Sequence, residues 1–209
     1  MLHANLCEIL RRAGDLDGAV AAGREAVSLS PSSAAALSNL GIALYERGDL
    51  DGAETYQRRA LTVDASFARA LNNLGSILRD NKDSEAALVF YQKAHAAAPQ
   101  DEEILNNLGN VLVEANKEND AIRLLTSRVL RVSAQAETYA ALGRAFLNLD
   151  KLDDAERCFR KALQMEADNT TTLIGLARTI QNKNHPKIAL EIVQKALALE
   201  PEKPVVLHL

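Results

Sequence analysis

The stretch Ala68–Pro99, ARALNNLGSILRDNKDSEAALVFYQKAHAAAP, decides the reading of this chain. In its first half Leu71, Leu74, Gly75 and Leu78 are spaced three, one and three apart. At about 100° per residue they share one arc of a helix, while Arg69, Asn72, Asn73, Ser76 and Asp80 fall on the opposite side. In the second half Ala87 and Ala94 lie seven residues apart and share a face, where a methyl group lets a neighbouring helix approach closely. Glu85 opens this second helix, where a carboxylate complements the positive end of the helix dipole, and Pro99 closes it. The segment reads as two amphipathic helices, the first carrying a polar stripe.

The same pattern runs through the whole chain in a 34-residue frame. Leu74 belongs to a column with Leu6, Leu40, Leu108, Leu142 and Leu176, each followed by a small residue: Cys7, Gly41, Gly75, Gly109, Gly143 and Ala177. That small residue is counted below as the eighth position of its unit. Ala19, Ala53, Ala87, Ala121, Ala155 and Ala189 form a second column. Ala26, Ala60, Ala94, Ala162 and Ala196 form a third, with Arg128 in the fourth unit. The spacing predicts repeats near 1–33, 34–67, 68–101, 102–135, 136–169 and 170–203, with 204–209 starting a further helix or repeat. First helices are expected to end near Gly14, Gly48, Asn116, Asp150 and Asn184, with Lys82 in the third unit. Second helices are expected to open at Asp17, Asp51, Glu85, Asn119 and Asp153. One helix pair cannot bury these faces alone, so the pairs must stack. Without a polar cap, the last full helix is expected to expose Leu190, Val193 and Leu197 in part, a face that a second copy, giving a homo-oligomer, or another segment would cover.

The Leu–small pair, the two Ala columns and the closing Pro31, Pro99 and Pro201 resemble the tetratricopeptide repeat. The resemblance covers residues 1–209 as a single solenoid. It implies an all-α, right-handed superhelical array of about six antiparallel helix pairs. Some positions depart from the pattern. The aromatic residue usual at the twenty-fourth position is met by Tyr91 and Phe159, but Gly23 and Gln57 stand there in the first two units. Ser133 replaces the closing Pro of the fourth.

Composition excludes several other classes. The chain has 209 residues, 47% apolar and 25% charged, too apolar for a disordered protein. No stretch approaches the ~20 apolar residues that span a bilayer. The net charge of −4 argues against nucleic-acid binding, and the polar stripe mixes Arg144 and Arg178 with Glu103, Glu114 and Glu137. His3, His95, His185 and His208 are scattered and form no ligand pair with Cys7 or Cys158, so no metal or cofactor is expected. No phosphate-binding glycine loop occurs, and acidic pairs such as Asp153–Asp154 stand at helix starts. The residues present are expected to be non-catalytic. A cytoplasmic location is the default expectation, since residues 1–13 already fit the repeat rather than a signal peptide.

The polar stripe is the informative feature. Its sixth position holds Asn5, Asn39, Asn73 and Asn107, then Ala141 and Gly175. Asn72, Asn106 and Asn110 flank it, and Arg144 and Arg178 take the ninth position of the last two units. Asn carries both a donor and an acceptor, so a row of them can hold the backbone of an extended peptide, or can bond neighbouring helices and water instead. Residues Asn39, Asn72, Asn73, Asn106, Asn107, Asn110, Arg144 and Arg178 are the expected peptide-binding groove. Within the resembled family, the clamp that captures a C-terminal carboxylate is incomplete here: its positions hold Ala4, Glu8, Arg69 and Asn73, or Ser38, Ile42, Glu103 and Asn107. The Asn row is more similar to the repeats of O-linked N-acetylglucosamine transferases. Two functions follow from the resemblance: a non-catalytic scaffold that binds a peptide or protein partner, or the substrate-recruiting segment of a larger modifying enzyme.

Overall fold

The computed structural model describes residues 2–129 and 134–200. Ser133, Pro201 and the further repeat expected at 204–209 lie outside these residues. Among the described residues there are twelve helices and no strand. In chain order they are α1 (Leu2–Arg12), α2 (Leu16–Leu29), α3 (Ala34–Glu46), α4 (Leu50–Val63), α5 (Ala68–Asp80) and α6 (Ser84–Ala97). They continue with α7 (Glu102–Glu114), α8 (Glu118–Val129), α9 (Ala136–Asn148), α10 (Leu152–Met165), α11 (Thr170–Asn182) and α12 (Pro186–Leu199). The helices gather into two compact units, Met1–Val111 and Leu112–Leu209.

The turn inside each pair is built the same way each time. Gly14, Gly48, Lys82, Asn116, Asp150 and Asn184 all adopt positive φ, between 55° and 91°. Lys82 therefore takes the left-handed turn although it lacks the residue type that favours it. The residue after each of them donates its N–H back to the preceding helix: Asp15 to the Leu10 carbonyl at 3.0 Å, Asp49 to Leu44 and Asp83 to Leu78 at 2.9 Å. This six-to-one bond closes the helix end. The same aspartates then cap the next helix, accepting the N–H of Gly18, Gly52 and Ala86 at 2.9–3.0 Å. The caps thus stand two residues before the expected Asp17, Asp51 and Glu85, which lie inside the first turn and meet the dipole there. A single aspartate serves both helices, so one residue fixes the turn.

The repeat columns form the core. All six alanines from Ala19 to Ala189 are at most 2% exposed, and Leu40, Leu74, Leu108, Leu142 and Leu176 are buried as well. Leu6, on α1, is 40% exposed. At the twenty-fourth position the side chain packs against the small eighth residue of its own unit. A Cβ added to Gly75 would stand 2.9 Å from the Tyr91 ring, and one on Gly143 2.8 Å from the Phe159 ring. Gln57 plays the same part over Gly41, at 2.6 Å. On α12, Leu190 and Leu197 are exposed as the sequence implied, but Val193 is buried. It occupies the twenty-fourth position and turns inward like Tyr91 and Phe159.

Candidate functional site

Within the first unit the backbones of α1 and α3, and of α3 and α5, approach closely, whereas α4 and α6 meet through long side chains, Arg58 standing 5.9 Å from the centre of the Phe90 ring. An array drawn together on one side curves toward it, so the first helices line the inner face of this unit. Their polar stripe is therefore the inner surface. In the second unit α9 and α11 touch in the same way.

The sixth-position asparagines form a chain of bonds from repeat to repeat. Asn39 Nδ2 donates to the Ala4 carbonyl at 3.1 Å. Asn73 Nδ2 donates to Ser38 Oγ at 3.3 Å, and Asn107 Nδ2 to Asn72 Oδ1 at 3.0 Å. In every case the acceptor sits at the fifth position of the preceding unit. Asn72 Nδ2 goes on to Glu103 Oε1 at 2.9 Å. Asn39, Asn72, Asn73 and Asn106 are buried, and Asn107 and Asn110 are half-buried. The amide nitrogens of the row thus belong to the fold. No protein donor among the described residues reaches the Oδ1 of Asn39, Asn73 or Asn107. Arg144, half-buried on α9, and Arg178, exposed on α11, belong to the second unit.

Further along the first helices a second set of links keeps the same offset. Arg11 pairs with Glu46, and the Tyr45 hydroxyl donates to Asp80. Arg11 also bonds Glu8 through both carboxylate oxygens, and Arg12 joins them. These hydrogen bonds from Arg11, aided by Arg12, bring the Glu8 carboxyl down to about 2 from its ordinary 4.5. Burial, reinforced by Asp80, raises Tyr45 to about 12, so its hydroxyl stays protonated as a donor. Cys7 is fully buried in the small-residue column and its thiol is pushed up to about 11 by desolvation, the state of an inert core side chain. These inter-repeat links went unread in the sequence. Their signal was a spacing of one repeat plus one residue, at which Arg11 meets Glu46.

No group of three or more His, Cys, Asp or Glu among the described residues could hold a metal ion. No helix among them is long and apolar enough to cross a membrane.

Tetratricopeptide repeat models match residues 6–66, 68–101 and 136–169, together more than half of the sequence. The chain is a tetratricopeptide repeat protein. Among curated proteins none matches this tetratricopeptide repeat sequence significantly. Solved structures do. A chain of the APC/C hetero-tetramer Cut9–Hcn1 superimposes with a TM-score of 0.84 at 18% identity, over 97% of this chain and 40% of that one. PilF of Pseudomonas aeruginosa gives 0.81 at 21% identity, over 98% of this chain and 93% of that one. YrrB, a repeat protein described as having an unusual peptide-binding site, gives 0.67 at 22% identity, over 89% of this chain and 96% of that one. This chain spans less than half the length of the Cut9–Hcn1 chain. At these identities the likeness is one of fold. The tetratricopeptide repeat architecture is that of a protein-interaction scaffold.

Proposed function

We propose that this tetratricopeptide repeat protein binds an extended peptide or partner segment along the inner face of the first unit, and that Asn39, Asn73 and Asn107 hold the partner's backbone. One observation carries the reading. The three amides recur once per repeat, each oriented by its own nitrogen, with a carbonyl oxygen that no protein donor occupies. An amide already fixed by one bond loses little entropy when its oxygen accepts a backbone N–H. Asn72 contributes by position, since its oxygen and nitrogen are both engaged by Asn107 and Glu103. Asn106 and Asn110 extend the same stripe. Arg144 and Arg178 would add charge-assisted contacts where a partner carries acidic groups along the second unit.

Peptides selected from a displayed random library on the full chain test this. With each neutral hydrogen bond contributing about 0.5–1.5 kcal/mol, alanine at all three positions should weaken a selected peptide by roughly 10- to 100-fold. Because the nitrogens also tie the repeats, titration is paired with circular dichroism, and the single Asn73→Ala variant replaces the triple one if the latter melts. An unchanged affinity in a folded variant rejects the groove assignment.

A further inference from the structure

Between α3, α4 and α5, beside the first residues of α7, lies a cavity of about 200 Å³ that the Asn row only borders. Gln57 forms part of its wall. This side chain is completely buried, donates Nε2 to the Ser38 carbonyl at 3.1 Å, and leaves Oε1 without any partner. A buried acceptor without a donor is costly, and Gln stands here where Tyr91 and Phe159 fill the same position in other repeats. The remaining polar wall is rich in acceptors. It holds the Asn73 amide that keeps its oxygen and the Glu46 and Glu103 carboxylates, while the hydroxyls of Tyr45 and Ser76 are already engaged, by Asp80 and by Asn72 and Tyr91. Arg11 shares Glu46 from α1, whereas Glu103 enters no ion pair among the described residues and accepts only from Asn72. No cationic side chain lines the cavity. Ile42 and Ile77 supply aliphatic walls.

We propose that this cavity takes a lysine or arginine side chain from the segment bound along the inner face. The proposal rests on the groove reading above and specifies its partner. Lysine and arginine heads are donors only, so they match a wall of acceptors that would leave another acceptor unsatisfied. Their methylene stems suit the two isoleucines, and Glu103 supplies the countercharge that a partly desolvated cation requires. A neutral polar side chain would bring lone pairs toward Gln57 Oε1 and Glu103. An acidic one would meet two like charges.

Two measurements on the full chain test the cavity and the groove separately. In the first, n-butylammonium is titrated while the backbone amides of Ser76 and Ile77 are followed by NMR, with butyrate and 1-butanol as controls. Saturable shifts with n-butylammonium alone are expected, and they should weaken in Gln57→Leu, a change that keeps an apolar residue where the repeat accepts one, and in Glu103→Gln, which keeps a hydrogen-bonding side chain. No saturable shift, or an equal response to butyrate, overturns the cavity proposal. In the second, the basic residue of a library-selected peptide is replaced by norleucine. Affinity should fall by about 10-fold in the parent and by clearly less in Gln57→Leu or Glu103→Gln. Selected peptides that depend on the asparagines but show no basic preference overturn the cavity proposal and leave the groove reading standing. Binding of n-butylammonium together with peptides indifferent to the asparagines overturns the groove reading instead.

Discussion

The two units solve the same stacking problem with different chemistry. In the first, inner helices are stitched by side-chain amides: Asn39 to Ala4, Asn73 to Ser38, Asn107 to Asn72. In the second, the sixth positions are Ala141 and Gly175, and an aromatic ring takes over. A Cβ on Gly175 would stand 2.6 Å from Phe159, and one on Gly143 2.8 Å from the same ring, so Phe159 lies between two repeats. Its ring leaves no volume for an asparagine at 175. Around Gln57 in the first unit the corresponding space is a cavity shared with Asn73. Both units also link the end of a first helix to the preceding second helix, by Arg47 to Asp17 at 3.7 Å in the first unit and by two such links in the second. Lys183 reaches Asp153 at 2.7 Å and Glu156 at 2.8 Å, and Asn148 reaches Glu118 at 3.2 Å. Tyr91 is equally buried at the corresponding position of the first unit and is followed by Asn107, so it is the approach of the Phe159 ring to Gly175, not an aromatic ring as such, that excludes the amide.

The largest test of this contrast is Phe159→Ala. Removing a fully buried ring from between two glycines should cost about 3–5 kcal/mol, read as a shift in the urea midpoint of helix unfolding. A loss below about 1 kcal/mol would mean that the ring is not what joins these repeats. Next comes Gly175→Ala. The added methyl meets a ring already confined on its far side, so overpacking should destabilise by about 1–3 kcal/mol. If that variant is neutral, the second unit had room for an amide after all. In the first unit, Asn107→Ala removes one inter-repeat bond and leaves Asn72 Oδ1 without that donor, so a smaller loss of about 0.5–1.5 kcal/mol is expected from the same assay.

The smallest effect concerns acid. Glu8 is held near 2 in the folded chain against an ordinary 4.5, so folding favours its ionised form. The stability it contributes is fully present above about pH 4.5 and disappears as the pH falls toward 2. Asp153 and Glu156 are lowered as well, by their hydrogen bonds to Lys183, which places an acid-sensitive link in the second unit too. Melting curves across this range should show a shallower loss for Glu8→Gln than for the parent. An identical pH dependence would show that the Arg11 cluster adds nothing to the first unit.

Much of this was legible in one repeat. The Leu–small pair, the Ala columns and the turn positions follow from the 34-residue frame, because a repeated interface demands the same volume at the same place each time. The asparagines of the inner face were legible only as a polar stripe. Which atom of each amide remains available depends on the residue at the fifth position one repeat earlier, and that differs: a backbone carbonyl, a hydroxyl and another amide. The caps were misplaced by two residues because Asp15 and Asp17 are equivalent by type, and only the turn geometry shows which carboxylate faces the free N–H groups.

The sequence by itself determined the helix pairs, their small-residue contacts and the family, all consequences of local periodicity and of side-chain size at fixed spacing. Tertiary structure alone decided that the asparagine nitrogens are structural, that Gln57 keeps a buried oxygen unpaired beside a cavity, and that Phe159 reaches into the next repeat. These depend on how side chains from different repeats meet in space. The physical reason is that hydrogen-bond satisfaction and void volume are properties of an interface, set by two or three repeats at once, whereas helix formation and burial patterns are carried by one.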